Sequence, residues 1–152
     1  MGPMEITRRG MARPDGSPKD VDREVFALFS VMNENESHYL DENVHRFAQK
    51  PYADPDDDDF QESNLMHSIN GYVFGNGPMF VVHKGERVRW YVMSMGTEVD
   101  LHTPHWHGNT VTAMGMRTDV VSLLPASMVI AGLRRKLASV SLRTSRQPTP
   151  VG

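Results

Sequence analysis

Residues Leu101-His102-Thr103-Pro104-His105-Trp106-His107-Gly108 place three of the chain's seven histidines within six positions. Imidazole is the commonest metal ligand in proteins and suits zinc, copper, iron and nickel alike, so this run is the first candidate for chemistry. In a strand, residues two apart point to one face with Cα atoms ~6.5–7 Å apart. His105 and His107 can therefore converge on one metal or on a closely spaced pair. His102 lies three residues from His105, and regular strand parity puts it on the opposite face. Pro104 lacks an N–H and restrains Thr103, so an irregularity at the proline could alter that parity. The simplest reading is two sites, one using His102 and one using His105 with His107. A single strand histidine is usually a polar or satisfied core residue. Three so close, with a tryptophan interleaved and a glycine closing the run, favour metal binding.

The elements that position this run must come from one domain, because 152 residues are too few for two ordinary ones. Hydrophobic residues at 39%, charged residues at 23% and a mean hydropathy of −0.45 fit a globular protein. No apolar run approaches the roughly 20 residues that span a bilayer, and the arginines of the N-terminus have no apolar stretch behind them, as a secretory signal would. Residues 132–152 carry Arg134, Arg135, Lys136, Arg143 and Arg146 and no acid, which leaves 11 basic against 19 acidic residues elsewhere, a net −8. An acidic body gives no electrostatic case for nucleic acid. With no cysteine in the sequence, disulfides, zinc–thiolate sites and thiol chemistry are excluded.

Along the chain, residues 1–20 read as an extended lead-in rich in Gly, Pro and Arg. The apolar run 24–32 suits a buried strand, a helix being the alternative. Residues 37–48 form one or two helical turns with Asp41 as N-cap, and 52–59 read as a solvated acidic loop. Strand signals then recur at roughly 8–12-residue spacing: 65–69, 72–74, the two halves of 80–95, the histidine run and 118–131. This spacing indicates an all-β sandwich or barrel. Trp90 and Trp106 read as core aromatics, Met114, Met116 and Met128 as packing residues, and His38, His45, His67 and His83 as structural or surface histidines. A cupin also uses His-x-His but needs a glutamate downstream, and none follows Glu98.

His67-Ser-Ile-Asn-Gly-Tyr-Val-Phe-Gly-Asn76, residues 84–111 (KGERVRWYVMSMGTEVDLHTPHWHGNTV) and residues 117–128 (RTDVVSLLPASM) resemble the last cupredoxin domain of a multicopper oxidase, in the ceruloplasmin-like and two-domain laccase branch. Residues 24–47 are similar to that branch as well. The resemblance covers about 20–131 and implies a cupredoxin-like Greek-key β-sandwich, with divisions at 1–20, 21–131 and 132–152. It implies copper as cofactor: His102 at the type 1 position, His105 and His107 at the type 2 and type 3 positions of a trinuclear cluster. In that family a small-molecule reductant, such as a phenol or reduced metal ion, gives single electrons that end on dioxygen. The family also implies a homo-oligomer or partner cupredoxin domain and a periplasmic or extracellular setting.

The family's domain closes with a His-Cys-His motif whose thiolate binds the type 1 copper. No histidine or cysteine follows His107 in this sequence. The last strands are therefore expected to be missing, the basic segment 132–152 to be a disordered tail from a shifted reading frame or mis-called gene end, and the chain alone to show no oxidase turnover. Two alternatives stand beside the oxidase domain: a copper- or zinc-binding domain without redox turnover that uses the same histidines, and a structural cupredoxin module with a vestigial site.

Overall fold

The computed structural model describes residues 3–48, 54–97, 100–134 and 142–143. The apolar run is a strand, β1 (Arg23–Asn33), because its odd positions Val25, Ala27 and Phe29 are buried in alternation with partly exposed ones, the period-2 signature of a half-buried strand. A single 3-10 turn at Glu34–Glu36 leads to α1 (Leu40–Phe47), and α2 (Asp58–Ser63) follows. Seven further strands pair or lie beyond: β2 (Leu65–Ile69), β3 (Tyr72–Val73), β4 (Arg87–Met95), β5 (His105–Trp106), β6 (Val111–Ala113), β7 (Met116–Thr118) and β8 (Met128–Arg134), with a short β9 (Leu142–Arg143) after them.

The main sheet has the order β3-β2-β1-β4-β8-β6-β7. β1 and β4 run parallel, with Val25 beside Trp90 and Ala27 beside Val92, and every other pairing in the sheet is antiparallel. The inner face carries Val25, Ala27, Phe29, Val88, Trp90, Val92, Ala131 and Leu133, which pack against Trp106, Val121 and Leu123 from the histidine side. Trp90 and Trp106 meet edge to face with centroids 5.9 Å apart, an arrangement that satisfies the ring quadrupoles. Both indoles are core residues, as their types indicate.

The outer face of the same strands mixes apolar side chains such as Phe26 and Ile130 with charged and hydroxyl groups. Tyr91 stacks on Phe26 at 4.7 Å and donates to Glu24 Oε1 at 2.6 Å. Arg87 pairs with Asp22 at 2.7 Å and Arg89 with Asp20 at 2.6 Å, while Arg23, at the start of β1 in the parity of Val25, meets Glu86 through two contacts of 3.0 and 3.1 Å. Asp20 and Asp22 thus tie the start of the chain to β4. The stretch before them is less extended than its composition suggests. Ala12 and Pro18 form an antiparallel bridge around a turn in which Gly16 takes φ +88°, and Arg13 donates from its guanidinium to the carbonyls of Pro18 and Val21.

The acidic run is also more structured than a loop. Asp57 Oδ1 accepts from the N–H groups of Asp59 and Phe60 at 3.0 and 3.1 Å, so it is the N-cap of α2, and Asp58 and Asp59 fall in the first turn, where negative charge is favoured. In α1 the cap position belongs to Tyr39, which makes no side-chain cap bond, and Asp41 lies inside the first turn. β8 continues through Arg134, beyond the boundary expected at 131, and residues 142–143 pair with β5. The remainder of the basic segment lies outside the described residues. Among the described residues, no helix is long and apolar enough to cross a membrane.

Candidate metal centre

The histidine run lies antiparallel to residues 119–123. His102 and Leu123 exchange both backbone hydrogen bonds, at 3.1 and 2.8 Å; Val121 N–H donates to Pro104 O at 3.1 Å; Trp106 N–H donates to Asp119 O at 2.8 Å. The bridge pairs His102–Leu123 and His105–Val120 share this register. Pro104 therefore removes one ladder donor without inserting a residue, and the strand parity survives it.

Parity then sorts the side chains. His102, Pro104 and Trp106 point inward and are buried, while Thr103, His105 and His107 alternate to the outer side. His102 is 9% exposed, its ring lies 5.6 Å from that of Phe29, and its Nε2 is buried with no hydrogen-bond partner. Burial pushes the His102 imidazole below the usual histidine range; the Asp100 carboxylate opposes the shift and the His67 imidazole adds to it. A neutral imidazole with an unsatisfied buried nitrogen is the protonation state and the orphan donor atom that a metal requires.

His105 and His107 share the opposite face with ring centroids 5.9 Å apart and planes at 77°. His105 Nε2 lies 3.5 Å from Asp119 Oδ2, and both side chains are roughly half-exposed. The structure thus brings His105 and His107 together and holds His102 apart from them, on the other side of the strand. Among the described residues, no three His, Asp or Glu side chains converge on one point. The imidazoles fit copper by donor type, one on the inner side and two on the outer, each place needing further ligands.

Several sequence expectations change here. Met114, Met116 and Met128 are 74%, 64% and 58% exposed rather than packed, because the first two flank the tip of the β6–β7 hairpin and the third starts β8 on its outer side. Arg117 Nε donates to Thr110 Oγ1 at 2.9 Å, and Asp119 turns to His105. Asp119 is the residue that sequence reasoning missed. It lies twelve or more residues from the motif, and only the antiparallel register brings it beside His105.

Sheet order, the buried tryptophan pair and the divided histidines define the class: this is a cupredoxin-fold domain. A blue copper oxidase from Nitrosomonas europaea aligns with it at a TM-score of 0.55 and 15% identity, over 78% of this chain and 35% of that one. A second multicopper oxidase structure aligns at 0.53 and 18% identity, over 86% and 46%. The sequence relatives are more specific. The chain is 40% identical over 132 residues to mouse ceruloplasmin, 42% over 134 to human hephaestin and 43% over 131 to the human ferroxidase HEPHL1. These alignments cover 85–86% of this chain and 11–12% of the relatives, so the chain spans about one eighth of their length. No protein-family model matches it. The chain belongs to the multicopper oxidase family, as a cupredoxin domain homologous to a segment of ceruloplasmin and hephaestin.

Proposed function

We propose that this domain binds copper at two places, with His102 contributing to a type 1 position on the inner side of its strand and His105 and His107 to type 2 and type 3 positions on the outer side. The observation that carries this reading is the unbroken register across Pro104: one segment presents a buried neutral imidazole with an orphan nitrogen to one side and a pair of accessible imidazoles to the other. Copper at such positions supplies one-electron oxidation of a small reductant coupled to reduction of dioxygen to water. The protein's part is to hold the donors: Phe29 and Leu123 fix the level of His102, Trp106 anchors the residues that carry His105 and His107, and burial keeps His102 deprotonated. The ferroxidase among the relatives favours a reduced metal ion over a phenol as reductant.

A neighbouring cupredoxin domain, in the same or a second chain, completes the outer site. The sequence offers no thiolate, which favours binding without turnover by this polypeptide alone. Copper titration of the purified chain, followed by bound metal, optical and EPR spectra and dioxygen uptake, tests the reading beside a His105→Ala/His107→Ala variant. Copper bound by the wild type and weakened in the variant, without blue colour or oxygen uptake, supports it. Absence of copper binding would leave a structural cupredoxin module, and a blue signal would overturn the argument from the missing thiolate.

A further inference from the structure

We propose that residues 3–8 are a strap across the outer face of the main sheet, pinned by a proton shared between the Glu5 and Glu24 carboxyls and released when that proton leaves. The proposal stands apart from the copper reading, because the histidine strand packs against the opposite, inner face of β1, β4 and β8.

A cavity of about 540 Å³ separates the strap from the sheet. Its floor is the in-register row Phe26, Tyr91 and Ile130 with Met128 beside it, and its roof is the strap. Met4 and Ile6 remain 86% and 85% exposed, so the strap gains little from apolar burial. Among the described residues, 3–7 pair with no strand, so no backbone ladder holds the strap down either. The attachment is polar: the Glu5 carboxyl stands beside the Glu24 carboxyl and the Tyr91 hydroxyl. At its other end the strap meets a fixed pivot. Met11 N–H donates to Arg8 O at 2.9 Å in a turn where Gly10 takes φ +82°. The chain beyond is secured by the Ala12–Pro18 bridge and the Asp20–Arg89 pair.

Two carboxylates in contact repel, so one of them resists ionisation, whereas a protonated carboxyl offers an O–H donor to its neighbour. Burial first, and then Glu5, holds the Glu24 carboxyl above the usual carboxylate range, against the Tyr91 hydroxyl and the Arg89 guanidinium. Neither opponent replaces the shared proton. Tyr91 already donates to Glu24 Oε1 at 2.6 Å and, raised itself by burial and by Glu24, stays a neutral donor. Arg89 is committed to Asp20. Arg8 lines the cavity at the end of the strap, and β8 contributes only Met128 and Ile130 to it. A raised folded-state value means that the closed strap binds a proton that the open one gives up. Closure is therefore favoured below the ordinary carboxylate value and is lost as pH rises through the raised one. Opening bares the Phe26–Tyr91 stack and the two apolar side chains of β8.

The sequence has no cysteine, so a nitroxide attached at Met4→Cys is a single label on the full chain. NMR then reads how strongly it broadens the side-chain signals of Phe26 and Ile130. Broadening in acid that fades as pH rises through the Glu24 titration, itself followed by the carboxyl carbon signal, is the expected result. Glu24→Gln, whose amide donates to Glu5 at every pH, is expected to keep the broadening at neutral pH, and Glu5→Ala to lose it even in acid. Broadening that is equal, or absent, at acid and neutral pH in the labelled parent overturns the proposal. So does a Glu24→Gln chain that follows the parent's pH course, or a Glu5→Ala chain that keeps its acid broadening. Unchanged signals of the buried Ala27 and Val92 show that each variant is folded.

Discussion

The two sides of residues 101–107 obey different rules. Inward, His102, Pro104 and Trp106 are enclosed by Phe29, Leu123 and the indole of Trp90, and their places are dictated by packing. Outward, His105 and His107 touch each other and Asp119 and otherwise face the surroundings. The same division runs through the sheet behind them, where β1 and β4 carry an apolar inner face and an outer face with the ion pairs of Arg87 and Arg89 and the Phe26–Tyr91 stack. On the proposed copper reading, such a strand would leave one metal position to the domain's own core and the other to whatever docks against it. The inner side should then govern stability, and the outer side should govern binding.

Truncating the inner anchor gives the widest separation. Trp106→Ala removes a fully buried indole and is expected to destabilise the domain by about 3–5 kcal/mol, whereas His105→Ala/His107→Ala is expected to stay within about 0.5 kcal/mol of wild type; urea unfolding of both variants checks the contrast, and similar losses would erase it. A smaller and opposite effect is expected at His102. Replacing its unsatisfied Nε2 by an apolar group, His102→Leu, should stabilise the metal-free chain by about 1 kcal/mol, and saturating copper should reverse the order by stabilising wild type more than the variant, which lacks the inner place. Thermal melts with and without copper measure both halves.

Smaller still are the effects on the outer sheet face, and pH reveals their sign. The Arg87 guanidinium and backbone N–H hold the Asp22 carboxyl far below the usual carboxylate range. A depressed folded-state pKa contributes stability that is present above the ordinary carboxylate value and is lost as pH falls through the folded one. Asp22→Asn should therefore lower stability at neutral pH and flatten the acid limb of a stability–pH curve. Glu24 has the opposite sign. Burial raises its carboxyl first of all, the Tyr91 hydroxyl opposes, and Glu5 adds to the rise. Its contribution is present below the ordinary value and is lost as pH rises through the folded one. Glu24→Gln should thus give a slight gain at neutral pH that vanishes in acid; a loss at neutral pH would mean that the Tyr91 hydrogen bond outweighs burial.

What was legible in the sequence was whatever follows from periodicity. Strand alternation in β1 and β4 and the parity of His102 against His105 and His107 follow from a period of two, which the ladder across Pro104 keeps, and the Asn70-Gly71 turn between β2 and β3 follows from two residue types that accept positive φ. What was hidden depends on partners distant in sequence. Asp57 stands in a run of like residues, so its role as a cap shows only once α2 forms behind it. Arg13 looks like one more arginine in a lead-in until the Ala12–Pro18 bridge presents carbonyls to it. Met114 and Met116 are apolar by type, but Met114 takes a left-handed φ of 49° at a hairpin tip, where packing partners are out of reach. Asp119 gains its neighbour from a register that no local pattern encodes.

The tryptophan pair has a practical consequence. The sequence holds two tryptophans, and they form a single edge-to-face couple 5.9 Å apart, so the entire indole emission and the indole part of the near-ultraviolet dichroism come from one rigid chromophore. Trp106 is bonded on both sides to the outward histidines. A paramagnetic ion captured there would darken this chromophore, while loss of the core would release its dichroism. One cuvette therefore reads occupancy and folding through separate optical signals, with no label added.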